Sequence, residues 1–389
     1  MSWDMPALVA PEKTPALEFN RLFIVFILCL LIVFFGGMAY YYSSQDKNTL
    51  TLLLILSLTL FVIFGATVGW KVLRAGMLLE NNELIEVSNK RAEDICRQWA
   101  SEYISIIDFS SVFPYGIEIA KFIWGDEFNV IGDKSIKFPE EINYTAIFQE
   151  LLSSLRYKLL ILSQAGKIEI SLSGPDASFR SLWQSFSLAW ITLGLPADAV
   201  TVPMFIVKSY TDQIDEWLEH PGDKCRLVVV CNPLTSDDAQ RVTSDAACAW
   251  LLAPTGITEQ LPQKGRLYRA LETDGTTLLS DLPKLLKYQI GAMEIENLWF
   301  DKVTEKNTVN KVTKICNQVL RREEDSNLLS QYFTELILGR QEKNSIWMAM
   351  ALVFINKKNN NASNLIVSQC EAKTLLVQIK KTPLHKELL

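Results

Sequence analysis

Two uncharged apolar runs near the N-terminus decide how the chain is organised: Leu22–Tyr42, with the sequence LFIVFILCLLIVFFGGMAYYY, and Leu50–Trp70, with the sequence LTLLLILSLTLFVIFGATVGW. Each run has 21 residues. A helix rises about 1.5 Å per residue, so each run can cross the hydrocarbon core of a bilayer, which is about 30 Å thick. Backbone polar groups in that core must be satisfied within the segment, which favours a helix. The runs therefore predict a two-helix transmembrane hairpin, with the lipid bilayer as a partner of the chain.

Two other interpretations of these runs are a hairpin buried in a core and, for the first run, a signal peptide. The apolar region of a signal peptide is shorter and has no equally long partner after it. Tyrosines 40–42 end the first run and Trp70 ends the second, as is typical of aromatic side chains at the headgroup interface. These features favour the membrane hairpin.

The basic residues around the runs predict the orientation of the hairpin. Lys13 and Arg21 precede the first run and Lys71 and Arg74 follow the second, whereas the connecting turn Ser43–Asn48 carries one lysine offset by one aspartate. Cytoplasmic loops of membrane proteins carry an excess of Lys and Arg. Both termini are therefore expected in the cytoplasm, and the reverse orientation is the alternative.

The rest of the chain divides by composition and pattern. Residues 1–21 form a polar cytoplasmic lead with three prolines, which we expect to be loose, and residues 22–70 form the hairpin. Apolar residues recur at helical spacing among charges after the hairpin, which predicts a helical stalk over residues 71–107. A helix packed on the following domain explains the same pattern. Residues 108–389 are expected to form a cytoplasmic domain.

Predicted strands alternate with predicted helices from residue 144 onward, which is typical of an α/β domain with helices on the faces of its sheet. The clearest strand is Arg226–Cys231 (RLVVVC), an apolar run of the kind buried on both faces. Ile346–Ile355 (IWMAMALVFI) is too short to span a membrane and predicts a helix buried in the domain. Val200–Val207 is predicted as a strand and Leu328–Leu338 as a helix.

The composition argues against several classes of partner and site. The net charge is −6 and no basic cluster occurs, so nucleic acid is not an expected partner. The seven cysteines form no CxxC pair and the chain has two histidines, so a zinc site is not expected. Scattered single thiols fit a reducing compartment, in agreement with a cytoplasmic domain.

Few residues are candidates for chemistry. The phosphate-binding, dinucleotide-binding, serine-hydrolase and HExxH motifs are all absent from the sequence. His220 precedes a proline at a predicted helix end, where a solvated cation is expected, and His385 lies in the polar tail. Cys248 has no histidine near it in sequence that could serve as its base.

Carboxylates after the RLVVVC strand are the remaining candidates. Asp237, Asp238 and Asp245 surround the loop that follows this strand, and ligands of α/β sheets bind at the carboxyl ends of strands. Helix caps and solvated turns are the alternative role for these residues. No residue is therefore predicted to be catalytic or to bind a cofactor or a metal ion.

The second half of the chain resembles the thiolase fold, and specifically the C-terminal region of a β-ketoacyl synthase. The resemblance covers about Lys167–Lys380 and is carried by five segments: CRLVVVC (225–231), SDAACAWLLAP (244–254), SIWMAMALVFIN (345–356), NLIVSQCE (364–371) and TLLVQIKK (374–381). It implies a thiolase-like domain with a mixed sheet covered by helices. The fold class implied for the whole chain is α/β, with an N-terminal transmembrane helical hairpin.

The chain departs from this family at the active site. The nucleophilic cysteine motif and both family histidines have no equivalent, and Ser244–Asp245 stands where the family has a glycine–glutamate pair. If the fold is thiolase-like, the resemblance implies that the active site is missing.

A degenerate thiolase-like domain behind a membrane anchor is similar to accessory proteins of bacterial type VI secretion clusters, including the lipase-adaptor family. This resemblance implies a multi-pass protein of the bacterial inner membrane that does not catalyse a reaction and binds a protein partner through its cytoplasmic domain. The alternative is an enzyme acting on an acyl or lipid substrate, with Cys248 or the Asp237–Asp245 loop at its centre.

Overall fold

The computed structural model describes residues 3, 5–13, 19–44, 48–114, 135–139, 143–174, 179–201, 203–206, 209–232, 243–255, 262–320, 329–341, 344–356, 362–370 and 373–382. The chain divides into two compact units. One is Met5–Ile95, and the other combines Met1–Asp4 with Cys96–Leu389.

Two helices dominate the first unit: α1 spans Phe19–Ser44 and α2 spans Asn48–Ala100. Both are long and apolar enough to cross a membrane, judged by length and composition, and their apolar windows are almost entirely exposed. Phe26 of α1 stacks on Phe64 of α2, with ring centroids 4.2 Å apart. Gly37 of α1 lies so close to the Leu53 side chain that a Cβ atom there would clash. The two helices therefore contact each other at these two places.

Helix α2 continues from its apolar segment to Ala100 without interruption. The predicted stalk extended to residue 107, which is wrong for its last residues, because Tyr103–Val112 form strand β1. This segment, YISIIDFSSV, is rich in β-branched and aromatic residues and pairs on both sides with other strands. Strand pairing therefore ends the helix at Ala100, seven residues before the predicted end of the stalk.

The segment Met5–Lys13, which we call the strap, lies along α2. The side-chain amide of Asn89 accepts from the backbone N–H of Val9 at 3.1 Å and donates to the carbonyl of the same residue at 2.8 Å. Asn82 makes the same pair of bonds with Glu12, at 2.9 and 2.8 Å. The expectation of a loose lead is therefore wrong for the strap. Its backbone is held by two asparagines seven residues apart on one face of α2.

Trp3 is buried within the second unit. Its indole N–H donates to the carbonyl of Ala270 at 3.1 Å, and its ring meets Trp99 edge-on at 5.5 Å. The Arg269 guanidinium lies over the Trp99 ring, 4.2 Å from its centroid, and pairs with Glu102 at 2.6 Å. Trp3 therefore packs against the end of α2 and the sheet that follows.

The second unit has eleven strands in one mixed sheet within the described residues. They are β1 (Tyr103–Val112), β2 (Glu169–Ser173), β3 (Met204–Phe205), β4 (Arg226–Cys231), β5 (Ala247–Ala253), β6 (Gly265–Tyr268), β7 (Leu271–Asp274), β8 (Ile295–Asp301), β9 (Ser330–Phe333), β10 (Ser363–Cys370) and β11 (Lys373–Lys381). Their order is β3-β2-β4-β5-β1-β6-β11-β10-β8-β9, with β7 also pairing with β11.

Seven helices accompany this sheet in the described residues. They are α3 (Tyr144–Ala165), α4 (Phe179–Thr192), α5 (Tyr210–Glu219), α6 (Leu278–Tyr288), α7 (Lys306–Val319), α8 (Thr334–Leu338) and α9 (Ser345–Ile355). The Asn143 side chain caps α3 by accepting from the Ala146 N–H, and Ser209 caps α5 in the same way from Asp212. Such caps satisfy backbone donors that a helix start leaves without partners.

The sheet consists of two halves with the same topology. In the first half, β2, β3 and β4 are parallel, β5 is antiparallel to β4, and β1 is antiparallel to β5. In the second half, β8, β9 and β10 have the same relation, with β11 antiparallel to β10 and to β6. The halves join where β1 pairs with β6. The sequence pattern did not reveal this structural duplication.

Helix α9 lies at the centre of the domain, and residues 345–353 are all buried. Its apolar side chains cluster with Val228 of β4 and Trp250 of β5 in the first half, and with Trp299 of β8 and Val377 of β11 in the second. A helix that is apolar all round must be covered on every side. The two half-sheets supply that cover, as the sequence predicted for Ile346–Ile355.

The other face of the first half-sheet carries a second core. Leu227 and Val229 alternate with the residues that face α9, and they cluster with Leu151 of α3 and Phe186 of α4. Strand β4 is buried on both faces, as its apolar sequence predicted.

Two predicted elements differ from the structure. Leu328–Leu338, predicted as a helix, forms strand β9 followed by the short helix α8, because pairing with β8 overrides the helical apolar spacing. Among the described residues of Val200–Val207, Met204 and Phe205 form strand β3 at the edge of the sheet. The α/β class, the mixed sheet and the two long N-terminal apolar helices are confirmed.

Candidate functional site

A buried carboxylate with three hydroxyl partners lies at one edge of the second half-sheet. Asp301 accepts from Ser345 and Ser368, each at 2.6 Å, and from Thr334 at 2.8 Å. All four side chains are buried. We call this group the Asp301 cluster. It lies at the carboxyl end of the parallel strand β8.

The topology explains why these residues meet. Asp301 ends β8, Ser368 lies directly opposite it on the parallel strand β10, and Thr334 follows the end of β9. Parallel strands place their carboxyl ends at one edge, which is where α/β sheets bind ligands. Ser345 is the first residue of α9, and the positive end of a helix dipole stabilises a nearby carboxylate.

The carboxyl ends of the first half-sheet reach the same region. The Asn344 amide, just before α9, donates to the hydroxyl of Ser173, the last residue of β2, at 2.7 Å. Asn232, which follows β4, donates to Gln341 at 2.5 Å. Side chains of the two halves therefore bond to each other at the place where an α/β fold commonly holds its ligand.

The chemistry open to this cluster is limited. A serine nucleophile needs a base that removes its proton, which is usually a histidine held by a third group. Ser345 and Ser368 instead donate directly to Asp301, and neither hydroxyl has a histidine partner among the described residues. No side chain of the cluster is open to solvent. The arrangement fits a structural role.

Cys248 lies on β5 among apolar side chains and is fully buried. Burial raises the pKa of its thiol to about 12, and burial also raises the pKa of the Cys231 thiol on the neighbouring strand β4. The thiolate is the nucleophilic form of cysteine, and a reactive thiol has a lowered pKa. Both thiols are therefore protonated at neutral pH, which does not favour a nucleophilic role.

Ser244 and Asp245 hold a neighbouring segment in place. The Asp245 carboxylate accepts from the backbone N–H of Phe138 at 2.9 Å, and the Ser244 hydroxyl accepts from that of Ile136 at 3.0 Å. The backbone N–H of Ser244 donates to the carbonyl of Arg340 at 2.7 Å. These bonds give Asp245 a structural role at a buried position, not in the helix cap or solvated turn that the sequence suggested.

The remaining sequence candidates are not brought together. His220 is exposed at the end of α5, where its backbone N–H donates to the carbonyl of Glu216 at 2.9 Å. Asp237, Asp238 and His385 lie outside the described residues. Among the residues that the structure describes, no group of three or more His, Cys, Asp or Glu side chains could hold a metal ion.

Sequence reasoning did not single out Asp301. The residue ends the apolar run IENLWFD, and a carboxylate directly after two buried aromatic residues is the feature that could have drawn attention to it. Its partners lie 33, 44 and 67 residues further along the chain, so only the folded sheet brings them together.

Comparisons with known proteins give a likeness of fold. The peroxisomal 3-ketoacyl-CoA thiolase of Saccharomyces cerevisiae is 13% identical, with a TM-score of 0.45, over 72% of this chain and 98% of that one. That structure is described as constructed from two core domains of identical topology. A ketosynthase of the bacillaene synthase from Bacillus amyloliquefaciens is 9% identical, with a TM-score of 0.49, over 73% of this chain and 77% of that one.

The 3-oxoacyl-[acyl-carrier-protein] synthase III of Aquifex aeolicus is 12% identical, with a TM-score of 0.45, over 71% of this chain and 99% of that one. No protein-family model and no curated protein matches the chain. At these identities the likeness concerns the fold alone. It agrees with the expectation of a thiolase-like α/β domain and assigns neither an activity nor a partner.

Proposed function

We propose that this chain is a membrane-anchored accessory protein whose α/β domain binds a protein partner and catalyses no reaction. The observation that carries the proposal is the Asp301 cluster. At the strand ends where an α/β fold commonly holds its ligand, Asp301 and its three hydroxyl partners bond to one another and are closed to solvent. The protonated, buried thiol of Cys248 supports the same conclusion.

Membrane anchoring is supported by the two long apolar helices. Trp3 packs within the same compact unit as Cys96–Leu389, although both apolar helices lie between them in sequence. An even number of spans returns the chain to the side of the membrane on which it started, so a hairpin is compatible with this packing. The basic residues Lys13, Arg21, Lys71 and Arg74 favour the cytoplasmic side. The proposed location is the bacterial inner membrane.

A partner-binding role is supported by apolar side chains on two outer helices of the domain. Tyr157 and Ile161 of α3 and Leu188 and Ile191 of α4 are exposed, while the opposite sides of both helices pack on the sheet. Contiguous exposed apolar surface commonly marks an interaction site. The proposal places the partner among type VI secretion components, a placement that rests on the sequence resemblance described above.

Capture of partners from solubilised membranes tests the binding role. The full chain and a Leu188→Glu/Ile191→Glu variant are compared, with Leu279→Glu on α6 as an equally exposed control. We expect a secretion component to be captured by the full chain and the control and lost by the double variant. Equal capture by all three would move the interface elsewhere, and capture of lipid-biosynthesis enzymes alone would contradict the secretion role.

The Cys248→Ala variant tests the enzymatic alternative. Removing one buried sulfur is expected to leave partner capture and the cellular phenotype intact, because an adaptor does not need a nucleophile. If the phenotype disappears while the variant is folded and as abundant as the native chain, the chain is a thiol enzyme and the adaptor proposal fails.

A further inference from the structure

One side of helix α2 is shielded from solvent beyond its apolar segment. Ala75 is buried and Leu78, Asn82, Ile85 and Asn89 are partly buried, whereas every other residue of 71–90 is exposed. These five positions are spaced by three and four residues, so they share one side of the helix. We call this side the covered face. The strap bonds to both of its asparagines and therefore passes over the residues between them.

The four bonds described between the strap and this face all involve the backbone of the strap. Asn89 binds the N–H and the carbonyl of Val9, and Asn82 binds those of Glu12. Seven residues of a helix separate the two asparagines, which is about 10.5 Å. Three residues separate Val9 from Glu12, which is about 9 Å in an extended chain of the polyproline type. Because these lengths agree, the covered face is matched to the backbone of one extended segment.

The strap by itself is weakly held. Residues 6–13 are all exposed, including the apolar side chains of Leu8 and Val9, and the four bonds to the asparagines lie at the surface. Segments with exposed backbone bonds and few buried apolar contacts open locally while the rest of a protein stays folded. The strap is therefore expected to open before the α/β domain unfolds.

Trp3, two residues before the strap, is held differently. Its side chain is 5% exposed, its indole donates to the carbonyl of Ala270, and its ring packs on Trp99. Among the described residues of the first thirteen, Trp3 alone is buried. Fixing one end of a flexible segment raises the effective concentration of the remainder at a nearby binding site. Burial of Trp3 therefore favours the bound state of the strap that follows it.

We propose that the covered face of α2 is a binding site for an extended peptide segment, that the chain's own N-terminus occupies it reversibly, and that Trp3 is the latch that keeps it occupied. In the closed state the strap shields Ile85 and engages Asn82 and Asn89. Release of Trp3 frees the strap and exposes this part of the helix to solvent.

The sequence of the strap suits this role. Pro6 and Pro11 restrict their own backbone to the extended conformation. A segment that is already extended loses less conformational freedom when it binds. The device involves the N-terminus, α2 and the contacts of Trp3, so it depends neither on the orientation of the chain in a membrane nor on the proposed partner.

Cysteine labelling of the full chain in detergent tests the latch. Ile85→Cys places a thiol on the covered face, and Val87→Cys, at an exposed position of the same helix, is the matched control. The three native cysteines that are not buried are replaced by serine, and the buried Cys248 reports unfolding of the domain. We expect a maleimide to label position 85 at least about tenfold more slowly than position 87 and at least about tenfold faster than Cys248.

Variants of the N-terminus and of α2 then separate the latch from the strap. Trp3→Ala is expected to raise the labelling rate at position 85 at least about tenfold and to leave that of Cys248 unchanged. Trp3→Phe keeps an aromatic ring but loses the N–H that binds Ala270, and should give an intermediate rate. Asn82→Ala/Asn89→Ala should expose position 85 with Trp3 still in place, because the bonds to the strap are lost.

Three results would overturn the proposal. Equal labelling at positions 85 and 87 in the chain with an intact N-terminus would show that the strap does not cover this face. Labelling at position 85 as slow as that of Cys248 would show that the strap opens only when the domain unfolds. A rate at position 85 that Trp3→Ala leaves unchanged would show that Trp3 is not the latch. If Trp3→Ala also speeds labelling of Cys248, the same comparison is made with Trp3→Phe, and an unchanged rate at position 85 in that variant counts equally against the proposal.

Discussion

Replacing Asp301 by alanine is expected to destabilise the α/β domain by about 3 to 5 kcal/mol. The carboxylate is the acceptor for three buried hydroxyls, and a buried polar group left without a partner costs about 1–3 kcal/mol. Thr334 retains a weaker acceptor, the carbonyl of Phe300 at 3.3 Å. Ser345 and Ser368 therefore account for most of the loss, and release of the buried charge from its desolvation cost offsets a part.

Asp301→Asn is the matched control. An asparagine keeps the shape of the side chain and one carbonyl acceptor, and its amide can donate to a hydroxyl oxygen. We expect this variant to lose about 1–2 kcal/mol, clearly less than Asp301→Ala. Because the asparagine keeps the volume of the side chain, the stability lost in Asp301→Asn reports the change in charge and hydrogen bonding alone.

The measurement is urea unfolding of the full chain in detergent, followed by tryptophan emission, since Trp347 of α9 and Trp299 of β8 are both buried in the core around this helix. A double-mutant cycle with Ser345→Ala should give a coupling of at least about 1 kcal/mol, as expected for side chains in direct contact. A loss below about 1 kcal/mol for Asp301→Ala would refute the structural role of the cluster. So would normal stability of Asp301→Asn combined with loss of the cellular phenotype, which would indicate a chemical role.

Three further predictions concern charge, burial and the strap. Burial lowers the pKa of Lys381 from 10.5 to about 8. Between these pH values the unfolded chain holds a proton that the folded chain lacks, so the free energy of unfolding rises with pH by up to about 3 kcal/mol. Lys381→Met should remove this pH dependence in unfolding curves measured from pH 7 to 10.5. An unchanged pH dependence would contradict the assignment to Lys381. Val229→Asp should prevent folding, because an unpaired carboxylate buried between two packed faces costs several kcal/mol. The readout is loss of soluble or membrane-inserted protein, and a stable variant would show that β4 is not a central strand. Asn82→Ala/Asn89→Ala should speed amide hydrogen exchange in the strap at least about tenfold, since four bonds to its backbone are lost, whereas the exposed Asn81→Ala should not.

Local pattern was sufficient to predict the elements whose environment is uniform along their length. The run RLVVVC predicted β4 with its observed bounds, Arg226–Cys231, because every residue of that strand is buried. IWMAMALVFI predicted α9 within one residue, because a helix that is apolar all round has one stable environment. The apolar pair Leu22–Tyr42 and Leu50–Trp70 predicted both long helices for the same reason.

Prediction failed where the partner of a segment lies far away in sequence. Strand β9 carries helical apolar spacing and becomes a strand because β8 pairs with it. The sequence predicted a loose strap, but asparagines 70 and 80 residues further along the chain hold its backbone. Side-chain amides that bind backbone groups leave no periodic pattern in the bound segment, so sequence could not anticipate this contact.

The candidate site depended on tertiary structure to an even greater degree. The chain has only two histidines, so composition alone argued against a histidine-dependent active site. Cys248 and the carboxylates near β4 were the candidates that the sequence left. Burial then determined the state of Cys248, because a thiol in an apolar core stays protonated. Sheet order brought Asp301, Ser345 and Ser368 together from three separate segments. Sequence by itself determined the elements whose environment is uniform, such as β4 and α9, because their hydrophobic spacing is a local property. The neighbours of each polar side chain were decided by strand pairing across the whole domain.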